Sequence, residues 1–84
     1  MTGTFELSYY PFRDAYPDSV IEVLAALRQI DGITIEANGM STVLIGDFEK
    51  IWTSLGDIAA GRLAAEDAAL VLKVARGRRE YLAE

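Results

Sequence analysis

Asn38-Gly39 marks a reversal of the chain. Both residue types tolerate the left-handed backbone of a tight two-residue hairpin, and strand-forming runs lie on either side. In the first arm, Ile33, Ile35 and Ala37 alternate with Thr34, Glu36 and Asn38, the period of two that defines a strand. The second arm runs from Met40 to Ile45, with Val43 and Ile45 on one face and Thr42 and Leu44 on the other. Apolar residues on both faces predict a strand covered on both sides.

Strand and helix patterns flank this hairpin. Upstream, Phe5, Leu7 and Tyr9 alternate with Glu6, Ser8 and Tyr10, a strand over Thr4 to Tyr10. Pro11 has no amide donor and ends it. A polar connection from Arg13 to Asp18 follows, with Pro17 where a first helical turn tolerates proline. From Ser19 the period changes: Val20, Val23, Leu24, Leu27 and Ile30 form one helical stripe, and Gly32 closes it.

Downstream, Asp47 is placed to cap a second helix, in which Phe48, Ile51, Trp52 and Leu55 recur at helical spacing. That spacing makes Trp52 a core residue first and a pocket wall second. Gly56 and Gly61 each cost up to about 1 kcal/mol relative to alanine, yet alanine-rich sequence carries the helix to about Glu66. Ala68 to Ala75 reads as a fourth strand, closed by Gly77, and Arg78 to Leu82 as a short tail, helical or frayed.

The order β-α-β-β-α-β, with two right-handed crossovers around a hairpin, predicts a ferredoxin-like α+β fold. Its four-stranded antiparallel sheet carries both helices on one face. Eighty-four residues leave room for one domain, spanning residues 1–84. The other sheet face is expected to hold Glu6, Ser8, Tyr10, Thr34, Glu36, Thr42, Leu44, Val71 and Lys73. That mixture is too apolar to be freely solvated, so a second copy's sheet is expected to cover it, in a homo-oligomeric dimer or tetramer.

Composition narrows the chemistry. Eight Lys and Arg against 13 Asp and Glu leave a net charge of −5, which opposes attraction to nucleic-acid phosphates or anionic membranes. No apolar run approaches the roughly 20 residues of a membrane span. Neither a basic nor an apolar leader pattern opens the chain, so a cytoplasmic location is expected. The absence of His removes imidazole bases and His-ligated metals, and the absence of Cys removes thiolate nucleophiles, disulfides and Fe–S ligation. No cofactor is expected.

Glu6 and Glu36 are able to share a face as paired carboxylates, but two solvated strand acids explain them more simply. Ser8, Ser41 and Thr42 have no evident activating base. Gly46-Asp47-Phe48-Glu49 lacks the glycines and the Lys-Ser/Thr pair of a phosphate loop. An RNA-reading sheet would need more aromatics on its central strands than Tyr10 alone. These exclusions leave a non-catalytic small-molecule site for a planar heteroaromatic cation. Tyr9 and Tyr10 offer ring faces, Ser8, Ser41 and Thr42 hydroxyls, and Glu36 and Asp47 negative charge. The alternative is a ligand-free assembly module whose same residues pack a subunit interface.

Two motifs point further. Ser8-Tyr9-Tyr10-Pro11-Phe12 closes the first strand, and Gly39-Met40-Ser41-Thr42-Val43-Leu44-Ile45-Gly46-Asp47 forms the second hairpin arm and its turn. With the element order, they resemble the YkoF-type thiamine/hydroxymethylpyrimidine-binding family over nearly the whole chain. Tyr9 stands where an aliphatic residue is commoner in that family, and Phe12 where leucine is usual. The resemblance implies a ferredoxin-like repeat that pairs sheet to sheet. It also implies binding of thiamine or its pyrimidine precursor, in support of vitamin uptake or salvage. The matching positions are Ser8, Tyr10, Pro11, Met40, Ser41, Thr42, Gly46 and Asp47. The aminopyrimidine would lie against Tyr10, held by Ser41, Thr42 and strand backbone. On the chemistry of a cationic ring, rather than on the motif, Glu36 or Asp47 would neutralise its charge.

Overall fold

The computed structural model describes residues 1–12 and 16–79, with the side chains of residues 16 and 17 left aside. Its elements are β1 (Thr2–Pro11), α1 (Tyr16–Leu27), β2 (Thr34–Ala37), β3 (Thr42–Asp47), α2 (Phe48–Ala65) and β4 (Ala68–Arg76). One antiparallel sheet in the order β2-β3-β1-β4 confirms the ferredoxin-like α+β fold. Of the connection expected over Arg13 to Asp18, residues 13–15 lie outside the described residues, and the rest already belongs to α1, which starts at Tyr16 rather than near Ser19. Residues 80–84 of the tail also lie outside them.

The core lies between the helices and one sheet face. Phe5, Leu7 and Tyr9 supply its centre from β1, Leu44 from β3, Val23 and Leu27 from α1, and Ile51 and Leu55 from α2. The register decides the faces: Phe5 pairs with Leu44, while Thr4 pairs with Ile45 and Glu6 with Val43. Leu44 and Thr42 therefore belong to the helix-covered face, and Val43 and Ile45 to the other. This reverses the expected assignment of Thr42 and Leu44 to the helix-free face.

Ile45 is nevertheless buried. The chain turns at Gly77 (φ +81°) and comes back to the helix-free face at Thr4, the ladder partner of Ile45. There the Thr4 hydroxyl donates to the Gly77 carbonyl (2.7 Å) and accepts from the Arg79 amide (2.9 Å). One end of that face is thus sheltered by the chain itself, whereas Tyr10 and Val71 at the other end are exposed.

The hairpin uses different geometry from the one expected. Among the described residues only Gly32 and Gly77 have positive φ, so neither Asn38 nor Gly39 adopts the left-handed region. Instead the Asn38 Oδ1 accepts from the backbone amides of Met40 (2.7 Å) and Ser41 (3.0 Å), and the Asn38 amide donates to the Ser41 carbonyl (3.0 Å). The asparagine side chain does the work of a turn carbonyl. Met40 sits in the turn, 85% exposed, and β3 starts only at Thr42.

Two glycines face one another where β1 and β3 cross under α2. Gly3 pairs with Gly46, and a Cβ on either would stand 2.7 Å from its neighbour: Phe48 Cδ2 over Gly3, Ile33 Cγ2 over Gly46. At Gly46 the Ile33 Cβ (3.2 Å) and Cα (3.4 Å) close off the retreat. Gly46→Ala is therefore expected to destabilise by about 1–3 kcal/mol, the usual cost of overpacking, measurable by urea unfolding. Gly39→Ala, with open space around its Cβ, serves as the near-neutral control.

Trp52 is not a core residue. It is 53% exposed, its indole stacked on Phe48 (centroids 6.0 Å apart, 11° between planes) at the flank of α2. Phe48, Ile51 and Leu55 take the inward arc of the stripe. Trp52 is left overhanging Leu70 and Leu72 of β4, the edge strand.

Candidate functional site

β1 outruns β3. The last pair between them is Leu7 with Thr42, whereas β1 stays paired with β4 as far as Pro11 with Ala68. Phe12 donates its amide to Asp67 (2.9 Å), and Gly77 donates to the carbonyl of Thr2 (2.7 Å). Even-numbered peptide groups of β1 thus point toward β4. By alternation, the N–H and C=O of Tyr9 point to the side that β3 has vacated. Pro11, also odd-numbered, directs its donorless nitrogen the same way and so costs the sheet nothing.

A cleft opens at this vacated edge. Leu7, Tyr9 and the α1 residues Val20, Val23, Leu24 and Leu27 form its apolar base. Ser8, Tyr10, Met40, Ser41 and Thr42 complete its lining. The Ser8 hydroxyl reaches across to the Met40 carbonyl at 3.4 Å, and the Ser41 hydroxyl donates to Glu6 (3.3 Å). The cavity volume is about 70 Å³. That is small beside the roughly 300–1,000 Å³ of sites for drug-sized ligands. It admits the edge of one small ring, and a whole ring requires a wall to move or a second chain to extend it.

Five of the seven residues expected to bind ligand therefore meet at one place, and two do not. Asp47 lies at the far end of β3, roughly 17 Å from Thr42 at about 3.4 Å per residue. Its carboxylate caps α2, accepting from the Lys50 amide at 3.0 Å. Glu36 is exposed on β2 and pairs with Val43, on the helix-free face. The strand order also separates Glu36 from Glu6, with Val43 between them, by about two strand spacings, roughly 10 Å. Glu6 instead lies 3.6 Å from Lys73.

Behind the cleft sits a polar cluster that sequence reasoning missed. The Tyr9 hydroxyl donates to Glu66 (2.6 Å), Ser19 donates to its other oxygen (3.0 Å), and Arg62 donates to Glu66 and Glu22 (both 2.7 Å). The bond from Tyr9, then that from Arg62, hold the Glu66 carboxyl down to about 2 despite its burial. Burial, and donation to that carboxylate, push the Tyr9 phenol above its usual range. Arg62 is raised as well, chiefly by its bond to Glu66. The only local sequence signal was the i, i+4 spacing of Arg62 and Glu66. The cluster ties β1, α1 and the end of α2 together and fixes the Tyr9 ring as a wall of the cleft.

No protein-family model matches the chain, and no curated protein does. Solved structures do. A Streptococcus pneumoniae protein superposes with a TM-score of 0.82 at 18% identity, over 93% of this chain and 89% of its own. A candidate thiamine biosynthesis/salvage protein from Thermotoga maritima gives 0.78 at 16% identity, over 88% and 82%. The domain of unknown function DUF77 from Bacillus cereus gives 0.73 at 17%, over 92% and 77%. At these identities the likeness is one of fold. Among the described residues, no helix is long and apolar enough to cross a membrane.

Proposed function

We propose that this protein binds a small planar heteroaromatic ligand, thiamine or its hydroxymethylpyrimidine moiety, without transforming it, in support of vitamin uptake or salvage. The observation that carries this reading is the convergence of Ser8, Tyr10, Met40, Ser41 and Thr42 on one cleft. The Tyr9 peptide, with no sheet partner on that side among the described residues, adds a donor and an acceptor, side by side, suited to the edge of an aminopyrimidine. Tyr10 supplies an exposed ring at the rim, and Ser8, Ser41 and Thr42 supply hydroxyls. The thiamine-related role attributed to the Thermotoga maritima protein supports the same ligand class. Asp47 and Glu36 drop out of the contact set, so charge recognition falls to the overall acidity of the chain and to ring stacking.

The test is a thermal melt across thiamine, its phosphates and the free pyrimidine. A ligand at 100 times its Kd stabilises by about 2.7 kcal/mol. For a domain of this size that raises Tm by roughly 10–20 °C. Ser8→Ala combined with Ser41→Ala is expected to diminish the shift while leaving the unliganded Tm within a few degrees. A flat Tm across the whole panel would sink the proposal. The small cavity favours one second reading, in which the same residues pack a ligand-free subunit interface; there the panel is flat and the double variant changes assembly mass instead.

A further inference from the structure

β4 is an edge strand nine residues long, and it bears few of the features by which exposed edges avoid pairing. It contains no proline, and Lys73 is its only charge before Arg76 at the end. Because odd-numbered peptide groups of β4 point to β1, those of Leu70, Leu72 and Val74 point outward, with no sheet neighbour among the described residues. The outward carbonyl of Arg76 is taken by its neighbour Arg79 (2.9 Å), which ends the open stretch. Beside this edge Trp52, Gly56, Ala59 and Leu72 border an apolar groove of about 190 Å³. Gly56 leaves open space where a Cβ would be.

We infer that this edge pairs with the β4 edge of a second copy of the chain, joining two four-stranded sheets into one of eight strands. A two-fold axis through Leu72 makes the pairing self-complementary. Leu72 then faces Leu72 of the other copy, and Leu70 faces Val74. All are outward-pointing residues, which is what a hydrogen-bonded antiparallel ladder requires. In this register Lys73 lies opposite Val71 rather than another lysine. Arg76 lies opposite Ala68, next to Asp67, so opposite charges meet at both ends of the ladder. The same axis brings the two grooves together, and the exposed indole of each Trp52 gains cover. This surface is distinct from the sheet face expected to pair from sequence, and it does not depend on the ligand-binding proposal.

The decisive variant is Val74→Pro. The Val74 amide points outward, so proline there removes an intermolecular bond and none within the protomer. Light scattering coupled to size exclusion is expected to give a wild-type mass at least twice the 9.2 kDa of the chain, halved by Val74→Pro. Trp52→Glu, at an exposed position, is expected to have the same effect, which guards against a folding defect in either variant alone. Amide exchange gives a second readout: Leu70, Leu72 and Val74 amides are slow in the wild type. In Trp52→Glu they become fast, while Val71 and Lys73 stay slow. A monomeric wild type at 100 µM overturns the inference. So does an assembly that survives both variants, or one that dissociates only when Val43 or Ser8 on the sheet face is replaced by arginine.

Discussion

Phe5→Ala is expected to cost about 3–5 kcal/mol, the usual range for removing a fully buried phenylalanine. The side chain is inaccessible to solvent at the middle of the central strand, between Leu44 on β3 and Val74 on β4. Its ring also lies 5.2 Å from Phe48 and 6.4 Å from Trp52, so both α2 aromatics lose a neighbour. Native domains of this length hold only about 4–13 kcal/mol in reserve at roughly 0.05–0.15 kcal/mol per residue. The variant is therefore expected to be largely unfolded at modest urea concentrations, with Tm lowered by at least about 12 °C. A urea midpoint within experimental error of the wild type would show that the α2 side of the core collapses to fill the space.

The second large effect is on acid stability. Glu66 is held at a pKa of about 2 in the folded protein, below the 4.5 of an unconstrained glutamate. A depressed carboxylate contributes stability that is complete above its unfolded pKa and is lost as pH falls toward the folded one. Wild-type stability is thus expected to decline between about pH 4.5 and 2. Glu66→Gln removes that dependence, because the amide does not titrate. It also leaves Arg62 without its principal counter-charge, so the variant is less stable than wild type at pH 7, and the two converge near pH 2. Unfolding midpoints measured across pH 2–7 check this. Parallel curves for the two proteins would mean that other carboxylates set the acid limit.

The element order was legible because hydrophobic periods change sharply along the chain: two at Phe5-Leu7-Tyr9, helical at Val23-Leu27, two again at Ile33-Ile35. The faces of β3 were not. Thr42 to Ile45 is apolar in both parities, and only pairing of Leu44 with Phe5 decides between them. Ile45 is buried although its parity puts it on the helix-free face, and its ladder partner Thr4 bonds there to the returning chain at Gly77 and Arg79, a neighbourhood remote in sequence. Trp52 shows the limit of a helical stripe: spacing places a residue on an arc but does not say where the underlying sheet stops.

The cleft was half legible. Motif residues at the end of β1 and around the hairpin do converge, but nothing local tells that β3 stops short, with its last pair to β1 at Leu7 and Thr42. Asp47 was attractive as a charge near the hairpin strand, yet one strand length carries it to the opposite end, where helix capping explains it. The cluster around Glu66 was hidden because Tyr9 and Ser19 lie 57 and 47 residues from it. Polar residues so far apart carry no common period.

The strand order has a consequence for biosynthesis. The inner strand β1 leaves the ribosome before either of its sheet neighbours, so Thr4 must wait for Ile45 on one side and Ala75 on the other. Until then the nascent chain holds an unflanked, aromatic-rich ribbon, the kind of segment that chaperones recognise and that limits folding speed through late loop closure. Synthesis that stalls before Ala68 would release a protein lacking one flank of that ribbon, a candidate for rapid degradation.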